Sequence, residues 1–243
     1  MYGSIAAGLG GAGSGPAFAW ALDEAERSGD RLVLLHVCAP GSPLASGRGE
    51  PGPAEVEVAD IGLARALASA RARLGTRRTA LQIRVGAAPA ALIDASAGVR
   101  LLVVGAGEGG RTVRRVLRNA HCPVVVARAA VPSADGVLVG IDGSAAGEMA
   151  LEFAHAYAGE HHLPLSTVHI PQPGEAAGRH GETGSVADGL ISAGQRARLL
   201  VLGDKRRGVM GRLRTGDVPL TVALDALCPV VLVPVDQREE APL

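Results

Sequence analysis

The chain has 243 residues, of which 47% are hydrophobic and only 2% are aromatic. Its 24 basic and 24 acidic residues balance, so no global charge attracts nucleic acid or an anionic membrane. No apolar run approaches the roughly 18 residues of a membrane span, and Met1 to Ser4 show no signal-peptide start. We therefore expect a globular, cytoplasmic protein of one or two domains, whose three cysteines are reduced.

The first half of the chain alternates between predicted strands and helices. Apolar runs predict strands at residues 4–9, 32–37, 81–85, 101–104 and 123–127. Helical spacing predicts helices at residues 16–28, 55–74, 88–97 and 112–119. The continuous run at 32–37 is typical of a strand buried on both faces, and the alternating run at 81–85 of an outer strand. Residues 41–53, rich in Gly, Pro and Ser, are predicted to form a loop.

The second half restarts the same pattern after a linker at residues 129–135. Strands are predicted at 137–142, 165–170, 199–203 and 230–233. Ser144 is the predicted N-cap of a helix that ends at Ala158. The candidate core residues of this helix are Met149, Leu151, Phe153 and Tyr157. The Gly-rich, polar residues 171–185 are predicted to form a mobile loop.

One structural unit occurs twice in the chain. Leu101 to Gly105 leads into Cys122-Pro123-Val124-Val125, and Leu199 to Gly203 leads into Cys228-Pro229-Val230-Val231. The connection is eight residues shorter in the first copy, and the second copy lacks about 35 residues where a helix and a third strand would lie. These spacings predict two α/β domains, at residues 1–130 and 131–243.

The repeated motifs resemble those of universal stress proteins, in the tandem form common in actinobacteria. In the second copy the motifs are Val139-Gly140-Ile141-Asp142-Gly143-Ser144 and Val168-His169-Ile170. In the first copy they are Leu34-Leu35-His36-Val37 and Ala120-His121-Cys122-Pro123. The resemblance implies two Rossmann-like open parallel sheets of the adenine nucleotide alpha hydrolase-like type. The first would have five strands in the order 3-2-1-4-5, and the second would be truncated to about four.

The resemblance also implies where ATP would bind. ATP-binding members carry Gly-x2-Gly-x9-Gly followed by Ser or Thr after the fourth strand, an Asp after the first strand, and an adenine-side residue after the second. In the second copy Arg206 stands where the second Gly belongs, and Asp217 stands where Ser or Thr belongs. The candidate ATP-site residues are Ile141, Asp142, Ile170, Gly203, Arg206, Gly216, Asp217 and Val218.

These changes leave two functions open. Arg206 would strain a loop that needs Gly, and Asp217 could cap its helix and occupy the amides that hold phosphate. Five basic residues against two acidic ones between Gly203 and Asp217 still favour an anion. The leading hypothesis is a non-enzymatic stress-response or regulatory protein with a degenerate nucleotide site and no metal. The alternative is an ATP-binding, nucleotide-dependent sensor.

The first copy is a weaker candidate for nucleotide binding. Gly10 aligns with Asp142, and the shortened connection leaves only a glycine-rich turn between Gly105 and Gly110. That turn fits a dinucleotide pattern, but no acidic residue follows the second strand, where Val37 and Cys38 stand. We interpret these glycines as a short strand-to-helix connection.

Three further patterns have structural explanations. His155, His161 and His162 are predicted to be solvated residues near a helix end. Arginines at 111, 114, 115 and 118 form a stripe typical of a solvated helix face, which could also contact an acidic partner. The fifth strands, Val124 to Ala127 and Val230 to Val233, are expected to pair within one chain, as the family resemblance implies. A homodimer is compatible with this pairing, and no protein partner is identified.

Overall fold

The computed structural model describes residues 3–10, 14–45, 51–107, 110–129, 135–170, 185–205 and 217–235. The chain divides into two compact units, Met1–Arg128 and Ala129–Leu243, called unit 1 and unit 2 below. Within the described ranges, no helix is long and apolar enough to cross a membrane.

Unit 1 contains a five-stranded parallel sheet. Its strands are β1 (Ser4–Leu9), β2 (Arg31–Cys38), β3 (Thr79–Val85), β4 (Leu101–Gly105) and β5 (Val124–Ala127). Strand β1 pairs with both β2 and β4, β2 pairs with β3, and β4 pairs with β5. The sheet order is therefore β3-β2-β1-β4-β5, which confirms the predicted order 3-2-1-4-5.

The helices of unit 1 are α1 (Ser14–Ser28), α2 (Pro53–Ala59), α3 (Ile61–Leu74), α4 (Ala88–Ser96) and α5 (Arg111–Asn119). The single helix predicted at residues 55–74 is wrong, because the backbone of Asp60 is extended, with φ −154° and ψ 98°. The Asp60 carboxylate accepts a hydrogen bond of 3.0 Å from the Leu63 amide. Asp60 therefore ends α2 and caps α3, an arrangement that a helical spacing of apolar residues does not reveal.

A buried charged cluster lies at the amino ends of the unit 1 strands. Asp30, 4% exposed, precedes β2 and accepts hydrogen bonds from the Gly3 amide at 2.7 Å and the Ser28 hydroxyl at 3.0 Å. The Arg100 guanidinium, which precedes β4, also donates to Asp30 and reaches Glu24 at 3.2 Å. These contacts tie together the starts of three neighbouring strands.

Unit 2 contains a four-stranded parallel sheet in the part that the structure describes. Its strands are β6 (Val137–Ile141), β7 (Leu165–His169), β8 (Leu199–Asp204) and β9 (Val230–Pro234). Strand β6 pairs with β7 and β8, and β8 pairs with β9, so the order is β9-β8-β6-β7. The predicted truncation to about four strands is confirmed. The predicted mobile loop, except Ser185, lies outside the described residues.

The helices of unit 2 are α6 (Ala145–Glu160), α7 (Val186–Gly194) and α8 (Val218–Asp225). Ser144 caps α6 as predicted, because its side chain accepts a hydrogen bond from the Gly147 amide. The predicted core of α6 is correct only at Tyr157. Its buried face is otherwise made of small residues, Ala146, Gly147, Ala150, Ala154 and Ala158. Met149, Leu151 and Phe153 are only half-buried.

Candidate functional site

The candidate site lies where the carboxyl ends of β6 and β8 meet. The chain leaves β6 toward β7 on one side and returns to β8 on the other, so adjacent connections diverge at this point. A crevice at the carboxyl ends of the strands is the usual ligand position in open parallel sheets. Asp142 comes directly after β6, and Lys205 comes directly after β8. Two side chains of opposite charge therefore flank the crevice.

An ion pair connects these two strand ends. The Nζ atom of Lys205 lies 2.5 Å from Oδ2 of Asp142. The side chains are 28% and 19% exposed, respectively, so the pair is largely shielded but still reachable from solvent. Partial burial strengthens the attraction, because water screens shielded charges less than it screens surface charges.

The other carboxylate oxygen of Asp142 is held by Ser144. The Ser144 amide donates to Oδ1 over 3.1 Å, and its hydroxyl donates to the same oxygen over 2.5 Å. The Ser144 hydroxyl oxygen in turn accepts a hydrogen bond from the Gly147 amide at 3.3 Å. The carboxylate is thus fixed through both oxygens, to Lys205 on one side and to the start of α6 on the other.

These contacts determine the protonation of Asp142. Partial burial raises the pKa of this carboxyl, but the hydrogen bonds from Lys205 and Ser144, together with the charge of Lys205, outweigh that effect. The net result is a pKa below the ordinary value of an aspartate. Asp142 is therefore a carboxylate at neutral pH and a poor acceptor of a proton.

Close backbone packing fixes the position of β8 against α6. A Cβ atom on Gly203 would lie 2.1 Å from the carbonyl oxygen of Ala146. Likewise, a Cβ atom on Gly147 would lie 2.9 Å from Oδ1 of Asp142. The first turn of α6 therefore lies so close to the end of β8 that Gly203 has no room for a Cβ atom. Asp142 is held between α6 and β8.

The apolar part of the site is formed by Ile141 and Ile170. The Ile170 amide donates to the Ile141 carbonyl at 2.7 Å, which extends the β6–β7 pairing by one residue. A Cβ atom on Gly140 would lie 2.8 Å from Cδ1 of Ile170, so the isoleucine side chain covers Gly140. Ile170 is half-buried, and its remaining exposed part offers an apolar surface beside the strand end.

Comparison with known proteins identifies the family of the chain. A family model described as the universal stress protein family matches residues 1–128. The chain belongs to the universal stress protein family. A curated universal stress protein of Mycobacterium tuberculosis strain H37Rv is 27% identical over 269 aligned positions, covering 88% of this chain and 90% of that protein.

Solved structures show the same fold. The crystal structure of a universal stress protein from Archaeoglobus fulgidus is 16% identical, with a TM-score of 0.71, and the alignment covers 98% of each chain. A putative universal stress protein from Pseudomonas aeruginosa has a TM-score of 0.66 at 16% identity, with 96% of this chain and 94% of that chain covered. At such identity these likenesses concern the fold alone.

The structure describes six of the eight predicted site residues. Ile141, Asp142, Ile170 and Gly203 all lie at the carboxyl ends of neighbouring strands. Asp217 and Val218 lie at the start of α8, which packs against β8 and β9. Arg206 and Gly216 lie outside the described residues. The expectation that the Asp217 side chain caps its helix is wrong, since it makes no capping hydrogen bond with α8.

Among the described residues of unit 1, glycines stand at the two positions that correspond to the charged pair. Gly10 follows β1 where Asp142 follows β6, and Gly107 lies two residues after Gly105, as Lys205 lies two residues after Gly203. The Gly10 amide donates to the Ser14 hydroxyl oxygen at 2.6 Å, and Gly107 has a φ of +44°, which favours glycine. The two copies therefore differ in chemistry at the same point of the fold.

Sequence reasoning missed Lys205 and Ser144 as members of the site. In the sequence, Lys205 is one of five basic residues after β8, and Ser144 is a predicted helix cap. The signal that could have found the pair was the opposite charge of two residues that directly follow neighbouring strands. Side chains at the carboxyl ends of adjacent parallel strands lie close together in any such sheet.

The histidines at the end of α6 also depart from the prediction. His155 and His162 are exposed, as expected for solvated residues. His161, in contrast, is half-buried, and its ring lies 4.1 Å from the ring of Tyr157 between centroids. His161 thus packs as an aromatic residue against the buried Tyr157.

Proposed function

We propose that this universal stress protein is a non-enzymatic stress-response or regulatory protein, with an altered nucleotide site in unit 2. In this proposal the two copies are duplicated family domains, at residues 1–130 and 131–243. The observation that carries it is the engagement of both Asp142 oxygens, one by Lys205 and the other by Ser144.

A catalytic role for Asp142 would require a different environment. A general base works best with a pKa near the working pH, whereas the contacts of Asp142 lower its pKa. The carboxylate must also reach the proton that it removes, and here both oxygens are already bound within the protein. We therefore assign to Asp142 a positioning role toward Lys205 and α6.

A nucleotide is the ligand that best fits the surroundings of this pair. The half-buried Ile170 supplies an apolar surface on one side of the crevice, and Lys205 supplies a positive charge on the other. The base of a nucleotide requires an apolar surface, and its phosphate requires a positive charge. The family resemblance implies the same arrangement, with the adenine near Ile170 and the ribose and phosphates near Asp142.

Two measurements on the full chain test this proposal. Calorimetry with ATP should detect binding, and a phosphate-release assay should detect no turnover above that of a protein-free control. Asp142→Asn serves as the site variant, and Arg196→Met, which breaks an exposed ion pair with Asp135, serves as the control. ATP hydrolysis that Asp142→Asn abolishes and Arg196→Met preserves would contradict the non-enzymatic role and favour the alternative, an ATP-binding, nucleotide-dependent sensor.

The pairing expected between Val124 to Ala127 and Val230 to Val233 stays a prediction, as do the homodimer and the cytoplasmic location. Oxidative cross-linking of single cysteines placed in these two strands tests the pairing, in a chain whose native cysteines are replaced by alanine. An intramolecular cross-link on a gel supports it. Its absence at every pair of positions along the two strands would contradict it.

A further inference from the structure

We infer that Lys205 is a built-in counter-ion of the unit 2 crevice, so that a nucleoside phosphate binds there without a divalent cation. This inference rests on the proposed nucleotide site and goes further, since it states that the ligand binds in its metal-free form. The observation behind it is that the ion pair of Asp142 and Lys205 spans the crevice between β6 and β8.

Lys205 occupies the position that a metal ion would need. Asp142 is the carboxylate at the end of β6, and Nζ of Lys205 lies 2.5 Å from its Oδ2 atom. Magnesium requires oxygen ligands at about 2.1 Å in octahedral geometry, so it would have to displace the ammonium group from this oxygen. The positive charge of Lys205 would also repel a dication held at the same carboxylate.

The second oxygen of Asp142 offers no alternative position for a metal ion. Oδ1 already accepts hydrogen bonds from the amide and the hydroxyl of Ser144. Freeing it would also disturb the cap of α6, because the same hydroxyl oxygen accepts a hydrogen bond from Gly147. A metal at Asp142 therefore competes with contacts that hold the fold.

Lys205 itself can meet a phosphate. An ammonium group has three N–H donors, and a contact with one carboxylate oxygen uses one of them. The side chain is 28% exposed, so part of it is accessible to a ligand. Asp142 holds this head group at the strand end, which reduces the entropy lost when a ligand binds. The charge of the phosphate would then be compensated by the protein.

Calorimetry with ATP on the full chain, in EDTA and in magnesium, tests the inference. Wild-type affinity should differ by less than about threefold between the two buffers. Lys205→Met should weaken binding in EDTA by about tenfold or more, and magnesium should restore part of the loss because Asp142 is released. Asp142→Asn should keep the metal independence, since Lys205 and not Asp142 supplies the charge that compensates the phosphate.

Arg196→Met is the matched control, since it breaks an Arg–Asp pair of the same unit at the opposite ends of the strands. Lys205→Gln is the second variant if Lys205→Met fails to fold, as judged by circular dichroism. Wild-type binding that magnesium strengthens tenfold or more, on the order expected for a carboxylate-bound metal, would overturn the inference and leave the proposed site intact. No binding by any protein in either buffer would overturn both.

Discussion

Replacing Gly203 by alanine is the sharpest test of how the site is built. The added methyl group would lie 2.1 Å from the carbonyl oxygen and 2.4 Å from the carbonyl carbon of Ala146. Ordinary contacts of a carbon atom begin near 3.5 Å, so α6 and β8 would have to separate by about 1 Å or more. The obstructing atoms belong to the backbone of α6 and not to a flexible side chain, so they can move only if the helix moves.

The cost of this separation follows from the packing of α6. Overpacking of a core typically costs about 1–3 kcal/mol. Because α6 packs against β6, β8 and β9 together, we expect Gly203→Ala to lower the free energy of unfolding by a value near the upper end, about 3 kcal/mol. Urea unfolding followed by far-ultraviolet circular dichroism measures this change, since it reports on the helices of both units.

Gly159→Ala provides the control on the same helix. A Cβ atom there meets nothing within 4 Å, and Gly159 is exposed in α6. Alanine should therefore raise the free energy of unfolding by about 0.5–1 kcal/mol through its helix propensity. If Gly203→Ala proved as stable as the wild type while Gly159→Ala behaved as expected, the close approach of α6 to β8 would be refuted.

Three further substitutions test other parts of the structure. Asp142→Asn should lower the free energy of unfolding at pH 7, and its difference from the wild type should shrink below about pH 4. The reason is that the lowered pKa of Asp142 contributes stability above the unfolded-state pKa, which is lost as the pH falls through the folded-state value. Asp30→Asn should cost about 2–3 kcal/mol, because Asp30 is buried and accepts charge-assisted hydrogen bonds, whereas Asp135→Asn in an exposed pair should cost less than about 1 kcal/mol. Asp60→Ala should cost about 1 kcal/mol through loss of the α3 cap.

Urea unfolding at several pH values measures all three effects. A constant difference between Asp142→Asn and the wild type from pH 7 to about pH 3 would contradict the assigned pKa direction. Equal losses for Asp30→Asn and Asp135→Asn would show that burial does not distinguish the two pairs. An unchanged stability of Asp60→Ala would show that the extended residue between α2 and α3 does not act through its side chain.

The sequence predicted the strands well, because each buried parallel strand is a short apolar run. Residues 32–35 of β2 are all buried, as such a run requires, and Arg84 and Val85 at the end of the outer strand β3 are exposed. The repeat around Gly105 and Gly203 predicted that one structural unit occurs twice, whereas the sheet order came from the resemblance to universal stress proteins. These signals depend only on neighbours along the chain, which a sequence displays directly.

The sequence predictions failed at positions where a contact between residues determines the local structure. Asp60 divides one helical pattern into two helices, because its carboxylate caps the second. The buried face of α6 consists mostly of small residues, and at Ala146 the close approach of Gly203 leaves no room for a larger side chain. The ion pair of Asp142 and Lys205 joins residues 63 positions apart in the chain. Periodicity and propensity carry no information about such contacts.

The number of nucleotides bound per chain tests the central claim, that the two copies share a scaffold but differ in their crevices. Gly10 and Gly107 replace the charged pair in unit 1, whereas Asp142 and Lys205 flank the crevice in unit 2. Equilibrium dialysis of ATP against the full chain in EDTA should therefore give one equivalent, which Lys205→Met removes at the same ATP concentration. Two equivalents, or one equivalent that survives Lys205→Met unchanged, would contradict the claim.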